Sequence, residues 1–480
     1  MKKALYIVVL LVFCQNYAQN RVAQFKIDLR RKKEVLQIVD DAKKEVSLFV
    51  ADKESVTVMR LNEKLNVIDS VSTAKLDKKY TQIGGTYFVN QNPTLLWFNK
   101  KKTEAAIQIF DLKSKKVESK TFTVPLENDV VVNAITIQNN FYLVTVSETN
   151  NYIRFFKFGT DGSFKTEQID LSKYNFTGKT MKSTLYDILY ENVNPFNINL
   201  NSQNISTETP CSLTFAARKR KWYVQGNSLI LTIDSYSRYT EVCTFDLTNF
   251  TFDKKTIKAK LLDKDIAHLS ELNSMLVDNT LVQLKMNAEQ MFVSIKKLSG
   301  EILQEYAIDK DKTVEFKNSD FYSESGQFSS KRTFKETADF VRKANFCHMG
   351  VSCFKNKDKF LLTIGGVYVD ENRDALVMSS AFAFGVFGGL LAAAITSNSN
   401  VENLSSYKNL NVVYFHSQFD SNWNHTPTEV KELAFDKARG FIEKDYFKTG
   451  ITIFKFLGDL YTGSYDSKTN DYSFYKFTEQ

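Results

Sequence analysis

Only four histidines, His268, His348, His416 and His425, carry a ring that titrates near neutrality, and they are widely scattered. His416 and His425 stand close enough to converge across one hairpin, but surface or structural roles are expected for all four. Cys347, His348 and Cys353 have the residue types of a metal site. No second Cys/His pair at ligand spacing follows them, so no metal is expected. The adjacent acids Asp370 and Glu371 read as ordinary loop charges, and no pair of carboxylates is nominated as an acid–base couple. The chain has no nucleophile elbow, HExxH helix, phosphate loop or EF-hand loop, so no catalytic residue and no cofactor is assigned. Gly84-Gly85 and Gly365-Gly366 read as turn glycines at strand ends, without the helix that would make them phosphate sites. The basic run Arg218, Lys219, Arg220, Lys221, followed by Trp222 and Tyr223, has the composition of a minimal nucleic-acid patch. A solvated hairpin is the expected reading, and no nucleic-acid partner is implied.

Positioning any such groups falls to a chain of 480 residues with 43% hydrophobic, 13% aromatic and 25% charged side chains, which excludes a disordered, collagen-like or disulfide-dense protein. The 39 Phe and 22 Tyr, against 18 Gly and 5 Pro, favour half-buried pleated strands. The net charge of +8 is modest for this length, and Lys2 and Lys3 contribute two of those charges. Those lysines precede an apolar run from Ala4 to Phe13 and a more polar stretch from Cys14 to Ala18. That order predicts a signal peptide over residues 1–18 and an exported, periplasmic protein. The apolar run is too short for a stable membrane anchor, and bulky Phe13 before Cys14 argues against lipidation.

A strand pattern recurs along the rest of the chain. Each copy has an apolar strand, a polar hairpin, an aromatic-rich alternating strand, a charged turn and a further short strand. Copies begin at Ser47, Leu95, Phe141, Leu229, Leu281, Phe360 and Leu460, and the sixth is interrupted until Asn411. The first three starts are about 48 and about 46 residues apart, the length of a four-stranded propeller blade. The last copy is one strand short, while Arg21 to Leu29 is an unassigned alternating strand. Pairing the two would close a ring and remove the open sheet edges. The expected fold is therefore all-β: a single β-propeller domain over 19–480, read as seven blades closed by its N- and C-terminal strands, with short helical insertions. Six blades is the alternative, because boundaries around Gly178 to Gln225 are ambiguous, and unrelated β-sandwich domains are a further one.

Loops depart from the scaffold and carry specificity. Helical spacing predicts short amphipathic helices within Lys331 to Asn345 and Pro427 to Lys444. Ala375 to Ile395 is sharper: twenty-one residues without a charge. A spanning helix there would put the following strands on the opposite side of a membrane and prevent ring closure, so no transmembrane span is expected. At about 25 cal/mol per Å2, leaving some ten large apolar side chains in water forgoes more than about 10 kcal/mol. A covering partner is predicted, contacted through Phe382, Phe384, Val386, Phe387, Leu390 and Leu391; insertion into the surface of a membrane, and folding back over the propeller's own face or channel, are the alternatives. For the four cysteines outside the signal, Cys347 with Cys353 and Cys211 with Cys243 are the favoured disulfide candidates, although three pairings stay open.

The export signal, the aromatic-rich repeats and Ala375 to Ile395 together resemble the plug subunit of the type 9 secretion translocon, as architecture and without a diagnostic motif. That resemblance implies a non-catalytic partner of an outer-membrane protein complex, with the apolar segment entering a barrel. A propeller that binds or cleaves glycans or peptides in its central channel is the competing expectation.

Overall fold

Apolar runs separated by short polar turns form antiparallel meanders in the structure, a computed structural model describing residues 20–29, 34–178, 183–190, 202–263, 270–325, 330–368, 399–407, 411–444 and 448–479. After β1 (Arg21–Lys26), β2 (Glu34–Asp40), β3 (Glu45–Ala51), β4 (Ser55–Leu61) and β5 (Val67–Ala74) pair in sequence order. The next sheets repeat that order: β6 (Tyr80–Val89), β7 (Asn92–Asn99), β8 (Glu104–Asp111) and β9 (Lys116–Thr123), then β10 (Asp129–Ile137), β11 (Asn140–Ser147), β12 (Tyr152–Phe158) and β13 (Phe164–Asp170). Helix α1 (Leu185–Tyr190) leads to β14 (Ser202–Asn204), which lies parallel to the first strand of the next meander, and α2 (Leu213–Ala216) intervenes. That meander is β15 (Arg220–Gln225), β16 (Ser228–Ile233), β17 (Tyr239–Asp246) and β18 (Thr251–Lys258). A further sheet holds β19 (Glu271–Val277), β20 (Thr280–Met286), β21 (Gln290–Lys297) and β22 (Ile302–Asp309).

The next sheet is assembled differently. β23 (Phe321–Ser325) and β24 (Ser330–Phe334) precede α3 (Thr337–Ala344), β25 (His348–Asn356) and β26 (Lys359–Val367); α4 (Ser399–Ser405) and β27 (Val412–Phe419) complete it. The spatial order is β24-β23-β27-β26-β25, so the fourth position is filled by a strand that comes earlier in the chain. Helix α5 (Ala434–Glu443) leads to β28 (Lys448–Phe456), β29 (Asp459–Asp466) and β30 (Asp471–Phe477), whose fourth position is taken by β1. Phe25 opposite Tyr472 and Gln24 opposite Ser473 set that register, as the short last copy predicts. The described residues thus hold seven sheets, all but β14 antiparallel.

The chain divides into two compact units, Met1–Ala74 with Glu432–Gln480, and Lys75–Lys431. In the first, Val46, Leu48, Val50 and Leu61 share a core with Phe454, Phe456, Tyr472 and Phe474. In the second, central strands such as β7 and β11 are buried along most of their length, while final strands such as β9 and β18 alternate between half-buried and exposed. Inner strands therefore pack on both faces and last strands meet water, which explains why the aromatic alternation is clearest in the middle of each repeat. Hairpins are closed by two-residue turns with positive φ, Asn90-Gln91 between β6 and β7 and Gln138-Asn139 between β10 and β11. The Asn139 side chain also bridges sheets: its Oδ1 accepts from Phe88 N at 2.8 Å and its Nδ2 donates to Phe88 O at 3.2 Å.

Three local expectations change. Gly84-Gly85 lies inside β6 at a bulge, not at a strand end, and a Cβ on Gly85 would sit 2.6 Å from the Phe141 ring. Gly365-Gly366 does lie at the end of β26, as expected, but still within the paired strand, where the backbone of β27 presses on Gly365. Close packing, not turning, requires these glycines. The predicted helix from Lys331 begins only at Thr337, because the residues before it extend the sheet as β24. The helix expected within Pro427 to Lys444 is α5.

Candidate docking site

The nominated contact residues Phe382, Phe384, Val386, Phe387, Leu390 and Leu391 lie outside the described residues. The structure does describe both roots of the segment that carries them. On one side β26 ends at Val367, and Tyr368 N donates to Asn411 O at 2.8 Å. On the other side is α4, held by a polar network against residues 208–214. Asn403 Oδ1 accepts from Ser212 N at 3.1 Å, and its Nδ2 donates to Thr209 Oγ1 at 3.1 Å and Pro210 O at 2.6 Å. Asn400 Oδ1 accepts from Thr209 Oγ1 at 3.2 Å while its Nδ2 donates to Glu208 Oε2 at 2.8 Å. The Ser212 and Ser406 hydroxyls lie 2.5 Å apart, and Tyr407 OH donates to Pro210 O at 3.1 Å.

Asn400, Asn403, Thr209 and Ser212 are all buried, so each bond protects a group that would cost about 1–3 kcal/mol if left unpaired. Ser212 also starts α2 by accepting from Phe215 N at 3.3 Å. Leu213 and Ala217 then pack on Val367 and Val412. Gly350 permits this approach, since a Cβ there would lie 2.9 Å from Ala217 N. Polar residues scattered on either side of the insertion gave no periodic signal, so sequence reasoning missed this clamp. Phe346 and Tyr368, 73% and 49% exposed, flank the start of β25 and the end of β26.

The basic run is not a solvated hairpin. Arg218, Arg220 and Lys221 are buried, with the last two entering β15. Lys221 Nζ donates to the carbonyls of Ala216 (3.2 Å) and Arg218 and lies 3.4 Å from Asp234 Oδ2. Asp234 is itself held by Thr240 Oγ1 at 2.6 Å and by Ser274 N and Oγ at 2.8 and 2.9 Å. Burial lowers the Lys221 pKa against the opposing pull of Asp234, and burial alone lowers that of Arg218. These cations act inside the fold, where the Lys221 charge is matched by two carbonyls and a carboxylate and Arg220 Nη2 donates to Ser235 Oγ at 3.3 Å.

Lys219, from the same run, reaches a polar cluster where β15, β19 and β25 begin. Its Nζ donates to Leu272 O at 2.7 Å and lies 3.5 Å from Glu271 Oε2. Glu271 Oε1 is 4.0 Å from His348 Nδ1, and Glu271 Oε2 accepts from Met349 N at 3.4 Å. Burial lowers the His348 pKa, Glu271 raises it and Lys219 lowers it further.

His416 and His425 do not meet as a pair; both attach to one short segment. His425 Nε2 lies 3.0 Å from Asn318 Oδ1, Asn318 N donates to His416 O at 2.8 Å, and His416 N donates to Ser319 Oγ at 2.9 Å. The His416 ring packs 5.2 Å from Tyr414 and 6.1 Å from Tyr322, and its Nδ1 is 3.1 Å from Thr363 Oγ1. Burial, then Lys331, pushes its pKa down to about 4. His268 lies outside the described residues.

The disulfide expectation is corrected: Cys211, Cys243, Cys347 and Cys353 are all free thiols. Cys347 and Cys353 sit at and along one extended strand, six residues or about 20 Å apart, whereas a disulfide needs Cα atoms within about 7 Å. Cys243 is in β17, packed with Trp222 and Phe245, whereas Cys211 precedes α2 and belongs to a different core. Burial raises all four thiol pKa values, those of Cys211 and Cys347 to about 12. Among the described residues no group of three or more His, Cys, Asp or Glu is arranged to hold a metal, and no helix is long and apolar enough to cross a membrane.

No family model matches the chain, and no curated protein matches it. Among solved structures it is similar to the β-propeller domain of Nup133 from Vanderwaltozyma polyspora: 8% identity, 96% of this chain and 99% of that chain, TM-score 0.35. It is also similar to an uncharacterized protein of Listeria monocytogenes, with 12% identity, 71% and 82% of the two chains and TM-score 0.29. A prolyl endopeptidase matches at 10% identity over 91% of this chain and 46% of that one, TM-score 0.33. The propeller-like, all-β description rests on the strand order and register given above.

Proposed function

We propose that this protein is a non-catalytic interaction scaffold of the bacterial cell envelope: an exported seven-bladed propeller over 19–480 that docks onto an outer-membrane protein complex through the uncharged segment Ala375 to Ile395. The observation that carries the reading is the clamp of buried Asn400, Asn403, Thr209 and Ser212 with half-buried Ser406 at one root of that segment. A buried polar network held by so many mutual bonds fixes a position, and a fixed root lowers the entropic cost of presenting an apolar segment to a partner. The finer form of the reading is a plug for a type 9 secretion translocon. Affinity purification from gently solubilised envelopes tests both: full-length protein should bring down a large outer-membrane partner, and deletion of 375–395 should lose it without lowering the melting midpoint. Equal recovery by the deletion variant rejects the reading, and the identity of the partner decides the plug.

A second reading, a propeller that binds glycans or peptides in its central cleft, is favoured by one observation: Lys219, Glu271 and His348 converge where the first strands of three meanders begin. Binding of a glycan or peptide array that is lost in Glu271→Gln would support it.

A further inference from the structure

The strand β24 lies beyond the four positions that make up the other simple meanders, and it brings Lys331 onto the face of its sheet that carries Tyr322, Tyr414 and His416. The register explains the meeting: Lys331 stands opposite Glu324, Tyr322 opposite Tyr414, and His416 opposite Thr363. The three rings form a contiguous aromatic surface, with centroids 5.3 Å apart for Tyr322 and Tyr414 and 5.2 Å for Tyr414 and His416. The Lys331 ammonium lies 3.7 Å from the Tyr322 ring centre and 5.8 Å from that of Tyr414. A carboxylate completes the arrangement, since Tyr414 OH donates to Glu324 Oε1 at 2.5 Å. Ring faces carry negative quadrupole potential, and a nearby carboxylate deepens it, so the chemistry selected is a cation with some apolar surface.

We propose that Tyr322, Tyr414, His416 and Glu324 form a binding site for the alkylammonium group of a lysine on a partner protein, and that Lys331 occupies this site in the free protein. The occupant is read from the molecule itself: the group already there is a primary ammonium on an alkyl chain. Lys331 is exposed, so its chain enters from the solvent side, the side from which a partner would come. Exchange of one ammonium for another leaves the site's charge unchanged, and self-occupancy lowers the apparent affinity by the fraction of time that Lys331 is in place.

The test titrates n-butylammonium chloride into the full-length protein, its Lys331→Ala variant and the double variant Lys331→Ala/Tyr322→Leu, following aromatic-ring NMR resonances, with n-butanol as the uncharged control. Melting midpoints verify that all three proteins are folded. Binding about tenfold or more tighter in Lys331→Ala than in the unaltered protein, abolished in the double variant and absent for n-butanol, is the expected result. Equal affinity with and without Lys331, retention of binding in the double variant, or equal binding of n-butanol overturns the proposal.

Discussion

Lys221 Nζ lies 3.4 Å from Asp234 Oδ2 with both side chains fully withdrawn from water, although Lys221 ends a basic run that reads in sequence as a surface patch. Breaking such a pair from one side leaves an uncompensated charge in the core. Asp234→Ala is expected to destabilise the protein by about 3–5 kcal/mol, whereas Lys221→Met combined with Asp234→Leu recovers only part of that loss, because Thr240 Oγ1 and Ser274 N and Oγ lose their acceptor. Urea unfolding of the two variants beside the unaltered protein measures the difference. A small effect of the single change would mean that the carbonyls around Lys221 suffice by themselves.

The His416 ring supplies a pH dependence. Its pKa falls from an ordinary 6.5 to about 4 in the folded protein, through burial first and Lys331 second. Between those values the unfolded chain holds a proton that the folded chain lacks, so stability rises with pH across this window and is lost as pH falls through it. The loss contributed is about 3 kcal/mol at most. Thermal melts from pH 7 to pH 4.5 should show a steeper decline for the unaltered protein than for His416→Gln.

All four cysteines outside the N-terminal segment should titrate as free thiols after denaturation, with no reductant needed. Burial of Cys211, Cys243 and Cys353, and the raised pKa of all four including half-buried Cys347, predict slow reaction with a thiol reagent in the native protein. Reductant should leave the melting midpoint unchanged. A fall in that midpoint would require a disulfide and overturn this assignment.

Removal of residues 20–29 deletes β1 and strips β30 of its partner along the Phe25–Tyr472 register. An exposed edge of this kind templates pairing between chains. The truncated protein should form dimers or aggregates at concentrations where the full chain stays monodisperse, as light scattering would read. Phe25→Ala, which removes the 5.6 Å stack on Tyr472 but keeps the strand, should lower stability without that association.

The alternation of apolar and polar residues by itself determined the strands, because period-two patterning is local. Each copy starting at Ser47, Leu95, Phe141, Leu229, Leu281, Phe360 and Leu460 falls on successive strands of one sheet. The short final copy likewise announced the strand Arg21–Lys26 that completes it. Tertiary structure decided what composition misreports. Lys221 looks like a surface charge until Asp234, at the end of the neighbouring strand, and the carbonyls of Ala216 and Arg218 enclose it, and Arg220 does so until β15 carries it into the interior. Cys347 and Cys353 look like a disulfide by spacing until the strand between them is seen to be extended. The clamp of Asn403 on Ser212 joins residues 191 apart, and the meeting of Lys331 with Tyr322 and Tyr414 depends on strands that pair out of chain order. Periodicity records the solvent a segment meets, whereas side-chain partners are chosen by which segments the sheets bring side by side.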